Sequence, residues 1–377
     1  MLSKHLFRQT FFLLVLVLCF SLAVSPLYAQ FRTLSGKTLT KANLDSFINR
    51  QIDSLQMPGI SFALINDGKI VYHRASGIAN VASGRAVDSN TIFEAASTSK
   101  TVFAFFCMQL VDKGLLHPDT PLYKYLPYPD IADDERYKLI TTRIVLSHQT
   151  GFPNWRYFDQ RDSSQYKYGQ LYIKFTPGTR FAYSGEGYFY LAKVIAKLTG
   201  STIQTLDSVF QAEMARPLGL NKLWFSGNAF ITKHKARGYK QGRLVNKPWP
   251  VSFPQQDSTW FGAAGGLHTE AMSYANFLIA LMNGKGISEA SRQEMLKMQV
   301  ALPESSNENT ELGNSGWGLG IAIRTTPFGV LYQHGGNNGN FQSGFMINDR
   351  SKSGYVFFTN CDKGDAFNKL LSAYLTF

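Results

Sequence analysis

Between Ser97 and Gly114 the chain carries a helix that cannot lie on a surface. Val102, Phe103, Phe105, Phe106, Met108, Leu110 and Val111 put apolar side chains nearly all round its axis. Such a helix must be covered on every side, so the fold has to build layers around it. Gly114 ends it, a residue suited to the turn beyond a helix C-terminus. Its start reads Ala95-Ala96-Ser97-Thr98-Ser99-Lys100. Positions three apart share a helix face, which sets the Lys100 amine beside the Ser97 hydroxyl. A hydroxyl is a poor nucleophile at neutral pH, and a neighbouring base is one standard way to activate it. A helix N-terminus also offers N–H groups to developing negative charge. The spacing alone is not specific. Ser164-Gln165-Tyr166-Lys167 repeats it in a polar, aromatic-rich stretch with no helical period, where a surface Ser and Lys are the plain reading. Ser97 and Lys100 are therefore the candidates.

The remaining elements sort by position. Leu44, Phe47, Ile48, Ile52 and Leu55 mark an amphipathic helix near the N-terminus. Ile60–Ile65 and Ile70–Tyr72 read as strands joined at Asn66-Asp67-Gly68, a strong hairpin signal. Helical periodicity recurs at Leu191–Leu198 before Gly200, at Ile203–Phe210 before Pro217, and from Thr269 to Asn283, with Thr269 as the expected N-cap. Val330–Gln333, Ser343–Ile347 and Tyr355–Thr359 read as strands, and Ala366–Leu375 as a closing helix. Pro248–Ser258 and Pro303–Ser315 read as loops. Strands cluster at both ends and helices fill the middle. The expected fold is α+β: an antiparallel sheet built from both chain ends, flanked by terminal helices, with an inserted and mainly helical lobe. The sheet lobe is expected over about 38–90 and 315–377, and the helical lobe over about 91–314.

A basic head (Lys4, Arg8) precedes an apolar run from Phe11 to Val24 and then Ser25-Pro26-Leu27-Tyr28-Ala29. This is the pattern of a secretory signal peptide over residues 1–29 with cleavage after Ala29, leaving 30–377 as the mature domain. An uncleaved anchor is the alternative. The chain then works in the periplasm or outside the cell. The formal charge is +12, and without those two cations +10 remains. Eight Lys and Arg and no acid lie between Glu213 and Asp257. This window reads either as a solvated hairpin or as a patch facing an anionic envelope surface. An exported chain with no binding motif is not expected to bind nucleic acid. Beyond the signal only Cys107 and Cys361 remain, two buried thiols or one bridge. Nothing in the sequence sets the oligomeric state.

A Ser–Lys pair needs a proton shuttle, an oxyanion hole and a hold on the substrate. Tyr183-Ser184-Gly185 follows a turn and precedes a helix, a place from which a phenol reaches a cleft; a nearby cation would lower its pKa. With 18 tyrosines in the chain, a packed or surface Tyr is the plain reading. His334-Gly335-Gly336-Asn337 stands at a strand end. Its glycines let backbone approach a ligand, so the Asn337 N–H can complete an oxyanion hole with that of Ser97. A buried structural His is the plain reading of His334.

Together these residues resemble a known family. Ser97-x-x-Lys100, Tyr183-Ser184-Gly185 and His334-Gly335-Gly336 follow the order of the serine β-lactamase and penicillin-binding-protein superfamily, nearest to class C β-lactamases, D,D-peptidases and related esterases (peptidase family S12). Leu146-Ser147-His148-Gln149-Thr150-Gly151-Phe152-Pro153, Pro177–Ser184 and Ala263-Ala264-Gly265-Gly266-Leu267 resemble further landmarks. The resemblance spans about 40–377. It implies that Ser97 is acylated, that Lys100 takes or relays its proton, and that Tyr183 shuttles protons to the leaving group. His334 would replace the Lys of the usual K-T-G strand, with Gly336 and Asn337 beside the oxyanion. No metal or cofactor is implied. Two departures stand out. Gly185 lacks the carboxamide of the usual Y-x-N, and His334 carries only a partial charge at neutral pH where Lys is a full cation. The expected function is a serine hydrolase acting through an acyl-enzyme on an ester or amide, of D-amino-acid or cell-wall-peptide type or a small ester. A β-lactamase or D,D-carboxypeptidase proper, and a non-catalytic envelope-binding protein that keeps the fold, are the alternatives.

Overall fold

The computed structural model describes residues 30–157, 167–245 and 259–376. The expected signal segment 1–29, Ser164 and the 248–258 loop lie outside these residues. Nine strands form one antiparallel sheet. In chain order they are β1 (Gly59–Asn66), β2 (Lys69–Asn80), β3 (Arg85–Ala86), β4 (Val300–Ala301), β5 (Gly316–Trp317), β6 (Ala322–Thr326), β7 (Gly329–Asn337), β8 (Gln342–Asn348) and β9 (Ser353–Thr359). Their order across the sheet is β4-β5-β6-β7-β8-β9-β1-β2-β3. The two chain ends meet where β9 pairs β1, with Phe357 opposite Phe62. Asp67 and Gly68 both have positive φ (50° and 68°), the turn that a two-residue hairpin between β1 and β2 requires.

β1, β8 and β9 are buried on both faces, so helices cover both. Period-2 alternation sorts their side chains. Phe62, Leu64, Tyr355 and Phe357 join Leu44 and Ile48 of α1 (Lys41–Leu55) and Phe367, Leu371 and Leu375 of the C-terminal helix (Gly364–Thr376). Ala63, Ile65, Phe345 and Phe358 face the opposite way, into the larger core. There α2 (Ser99–Asp112) is buried from Ser99 through Leu110, as its all-round apolar pattern requires. It packs with α3 (Gly185–Leu198) and α4 (Ala271–Met282). The C-terminal helix is hereafter α5.

Several local expectations change. Thr269 does not cap α4. It pairs in a three-stranded sheet (Phe93–Glu94, His268–Thr269, Leu223–Trp224) and its hydroxyl donates to Lys222 O. The cap is Glu270, whose carboxylate accepts from the amides of Met272 (2.7 Å) and Ser273 (2.8 Å), a stronger acceptor for those orphan amides than a hydroxyl. The helix expected up to Pro217 is a short turn, Leu206–Phe210, that widens into a π-helix over Gln211–Ala215. The loop after Pro303 holds a helical turn, Asn307–Thr310. In the basic window Tyr239–Lys240 and Arg243–Leu244 form a hairpin turned at Gln241 and Gly242, exposed except for Tyr239, which is buried in the smaller core. Cys107 and Cys361 are both free, and they lie in cores on opposite faces of the sheet.

Candidate active site

Ser97 sits in a tight 3-10 turn, Ala96–Thr98, that leads into α2. Ala96 adopts φ +47°, a conformation that costs a non-glycine residue about 1–3 kcal/mol and persists only where the surroundings hold it. They do. Ala95 N donates to Leu267 O (2.8 Å), and the Ser99 hydroxyl donates to Ala96 O while accepting from Leu267 N (3.0 Å). The hydroxyls of Ser343 (2.6 Å) and Thr98 (2.8 Å) both donate to Ala95 O, and Tyr274 Oη donates to Thr98 O (2.8 Å). The turn is thus tied to the sheet, to α4 and to the Ala263–Leu267 segment. Ser97 itself is half-buried.

Lys100 is fully enclosed. Its Nζ lies 3.3 Å from Ser97 Oγ and 2.6 Å from Ala264 O, and 4.6 Å from the centre of the Tyr183 ring. Burial alone brings its pKa down to about 7, so a large share of the amine is neutral at neutral pH. A neutral amine can donate to Ala264 O and point its lone pair at the Ser97 proton. Tyr183 precedes the N-cap of α3, Ser184, whose hydroxyl accepts from Gly187 N (3.1 Å). Its phenol is buried and completes no hydrogen bond. Ser97 is the side chain beside it that favours the ionised form, yet burial outweighs that and raises the pKa above the usual phenol range. The expected lowering by a cation does not occur, because the cation it needs, Lys100, is itself half discharged. Tyr183 is therefore a protonated phenol at neutral pH.

His334, on β7, is also buried. Its Nδ1 lies 2.6 Å from Gly335 O, a group that only accepts, so the ring proton is on Nδ1. Burial and the Lys100 charge push its pKa down to about 3. The partial charge expected at neutral pH is absent, and His334 cannot stand in for a cationic Lys. Its Nε2 is buried without a partner, with the rings of Tyr183 and Trp317 against it. At Gly336 β7 passes close to the nucleophile turn: a Cβ there would meet Ser343 Oγ first, and would stand 2.5 Å from Ala95 O and 3.1 Å from Ser97 N. At Gly335 a Cβ would meet nothing within 4 Å. The Asn337 side chain turns away, donating to Asp365 of α5 (2.9 Å) and accepting from Gly339 N (2.8 Å). Only its backbone N–H remains as an oxyanion donor.

At Gly185 a Cβ would lie 2.6–2.9 Å from the indole of Trp155. The aromatic ring occupies the space into which any side chain at 185 would project. The loop bearing it is strapped to the start of α3: Gly185 N and Glu186 N donate to Asn154 O (3.0 and 3.1 Å), and Arg156 pairs with buried Glu186 (2.8 Å). Residue type and spacing give no role to Trp155, Ala264, Trp317 or His148. A backbone carbonyl carries no side-chain signal, and Trp317 lies on a strand only two residues long, one in from the sheet edge. Among the described residues no three His, Cys, Asp or Glu side chains gather as a metal-ligand set.

The sheet, the central helix and the clustering of Ser97, Lys100 and Tyr183 have the layout of the serine β-lactamase and penicillin-binding-protein superfamily. The Beta-lactamase family model matches residues 44–375, and the chain belongs to that family, within the serine β-lactamase and penicillin-binding-protein superfamily. A putative D-alanyl-D-alanine carboxypeptidase of Escherichia coli K12 is 27% identical over 76% of this chain and 74% of its own length. Esterase EstB of Burkholderia gladioli is 28% identical over 49% of this chain and 51% of its own. In fold, the octameric penicillin-binding protein homologue from Pyrococcus abyssi superposes with a TM-score of 0.71, covering 89% of this chain and 77% of that one at 24% identity.

Proposed function

We propose that this chain is a serine hydrolase working through an acyl-enzyme on Ser97, and that it acts on esters or amides carrying no carboxylate where K-T-G enzymes would hold one. The dry Lys100 amine within 3.3 Å of Ser97 Oγ is the observation that carries the reading. Neutral Lys100 takes the Ser97 proton as Oγ bonds to the substrate carbonyl. The N–H groups of Ser97 and Asn337 receive the resulting oxyanion. As the carbonyl reforms, the bond to the leaving alcohol or amine breaks, and that group takes a proton from Tyr183, which Lys100 replenishes. Water then attacks the acyl-enzyme, giving its proton to the same relay; as the bond to Ser97 Oγ breaks, the relay returns that proton to Oγ and the acid leaves.

Two observations argue for uncharged substrates over lactams and D-Ala-D-Ala ends. His334 is neutral, and Trp155 fills the space of the missing carboxamide. The relatives' names, a carboxypeptidase and an esterase, support a hydrolase of this general type. A non-catalytic envelope binder would have no use for a strained nucleophile turn over a half-discharged lysine. The basic head, apolar run and Ala29 support export to the envelope or beyond.

The test is turnover of p-nitrophenyl acetate, a D-alanine anilide and a penicillin by wild type and Ser97→Ala. Ester turnover that Ser97→Ala loses, with the penicillin slowest, supports the reading. Equal rates in the two proteins would remove Ser97 from the chemistry.

A further inference from the structure

The acid in that scheme must be held over Ser97, and one residue outside the Ser–Lys–Tyr set grips it from three directions. His148 is fully buried. Its carbonyl accepts from Ala182 N (2.8 Å) and its Nδ1 accepts from Ser184 N (3.0 Å), so it ties the backbone on both sides of Tyr183. Its ring stacks on the Tyr183 ring, centroids 4.1 Å apart and planes 28° apart. No other residue among those described makes all three contacts. The grip needs an unusual backbone: His148 has φ +58°, which lets its carbonyl and its ring serve the same three-residue segment.

Because Nδ1 accepts from an amide, the ring proton is on Nε2. Burial and the nearby Lys100 keep the ring neutral, so this acceptor is always available. Phe181 and Trp317 stand edge-on to the same ring, closing the remaining directions in which it could turn.

We propose that His148 is the positioning residue of Tyr183: its Nδ1, carbonyl and ring face together fix the phenol over Ser97, and turnover depends on it through Tyr183 alone. This rests on the hydrolase reading. His148 itself makes no hydrogen bond to Ser97 or Lys100, its Nε2 being without a partner.

The test is a set of variants. Asparagine places an oxygen where histidine has Nδ1 and is among the residues that best tolerate left-handed backbone. Glutamine puts its oxygen one bond further out, and leucine has no acceptor. With an unactivated alkyl ester, whose alkoxide leaves only with a proton, H148L and H148Q are expected to lose about tenfold or more in kcat, the scale of a misplaced general acid. KM should stay within about twofold, and H148N should recover most of the loss. In a Tyr183→Phe background H148L should change kcat by less than about twofold, since non-additivity marks residues acting as a unit. Labelling of Ser97 by a fluorophosphonate, whose fluoride leaves without a proton, should remain within about threefold of wild type in H148L, H148Q and H148N. If H148L does not fold, H148Q carries the same comparison. Wild-type turnover in H148L and H148Q, an equal loss in the Tyr183→Phe background, or labelling that falls in step with turnover would each overturn the proposal. If wild type neither labels nor turns over esters, it is the hydrolase reading that fails. The positioning claim is then read from the 13Cζ-tyrosine resonance of Tyr183. It should move in H148Q and return in H148N; a resonance unmoved by H148Q would overturn it.

Discussion

Lys100 and Ser97 stand 3.3 Å apart, Nζ to Oγ, and burial alone sets the charge of the lysine. The amine is also pinned by Ala264 O at 2.6 Å, so it cannot swing away to water. Acylation of Ser97 by a fluorophosphonate should therefore rise about tenfold per pH unit below 7 and level off above about 8, following the neutral fraction of Lys100. Lys100→Ala should lose about a hundredfold or more and show no inflection near 7. A flat profile in wild type would remove Lys100 as the base.

The same burial has a stability consequence of fixed sign. Lys100 titrates near 7 when folded and near 10.5 when unfolded, so between these values the unfolded chain binds the extra proton. Stability then rises with pH in that window, by at most about 1.4 kcal/mol per unit from this group. Lys100→Met removes the dependence. Its melting temperature should exceed that of wild type most clearly at pH 6–7, with the gap closing towards pH 10. A constant gap would contradict the pKa assigned to Lys100.

His334 titrates near 3, far below its ordinary range. The ratio of kcat/KM for a carboxylate-bearing ester to that for its neutral analogue should show no inflection between pH 5.5 and about 7.5, as expected of an uncharged ring. His334→Gln should give the same shape. A wild-type ratio that falls through pH 6–7, and a flat one in His334→Gln, would show a charged His334 after all.

The neighbouring glycines of β7 should respond differently. Gly336→Ala forces a methyl against Ala95 O and Ser97 N and should cost about 1–3 kcal/mol of stability, with a marked fall in kcat. Gly335→Ala meets open space and should stay within about 0.5 kcal/mol. Chemical denaturation of both variants measures this. Equal effects would mean that the β7 backbone is not pressed against the nucleophile turn.

Gly185 offers a test of the substrate argument. Gly185→Asn restores the usual residue type, but its Cβ would collide with the Trp155 indole, and a loss of about 1–3 kcal/mol is expected. Trp155→Ala in the same chain should recover part of it. A stable Gly185→Asn single variant that gains penicillin turnover would show that the ring yields readily.

Where hydrophobic period and punctuation carry the information, the sequence is legible. The buried α2, the Asn66-Asp67-Gly68 turn and the join of both chain ends in one sheet all follow from side-chain patterns and glycine. Ser97 and Lys100 come together because helical spacing brings them together. Charge states are not legible in this way. Neither the neutral His334 nor the raised phenol of Tyr183 follows from residue type, because both depend on how much water the fold removes. The grip of His148 was equally hidden, since it works through a carbonyl and a ring nitrogen meeting backbone 34 to 36 residues away in sequence. Thr269 misled for a local reason: the residue after it, Glu270, made the better cap.

The central claim is that Ser97 is a nucleophile activated in place. Intact-mass spectrometry of folded protein after fluorophosphonate treatment, with wild type and Ser97→Ala side by side, reads it most directly. One adduct per chain on wild type, mapped to Ser97 and missing from Ser97→Ala, is the expected result. Folded wild type that stays unmodified, or an adduct that persists in Ser97→Ala, would contradict it.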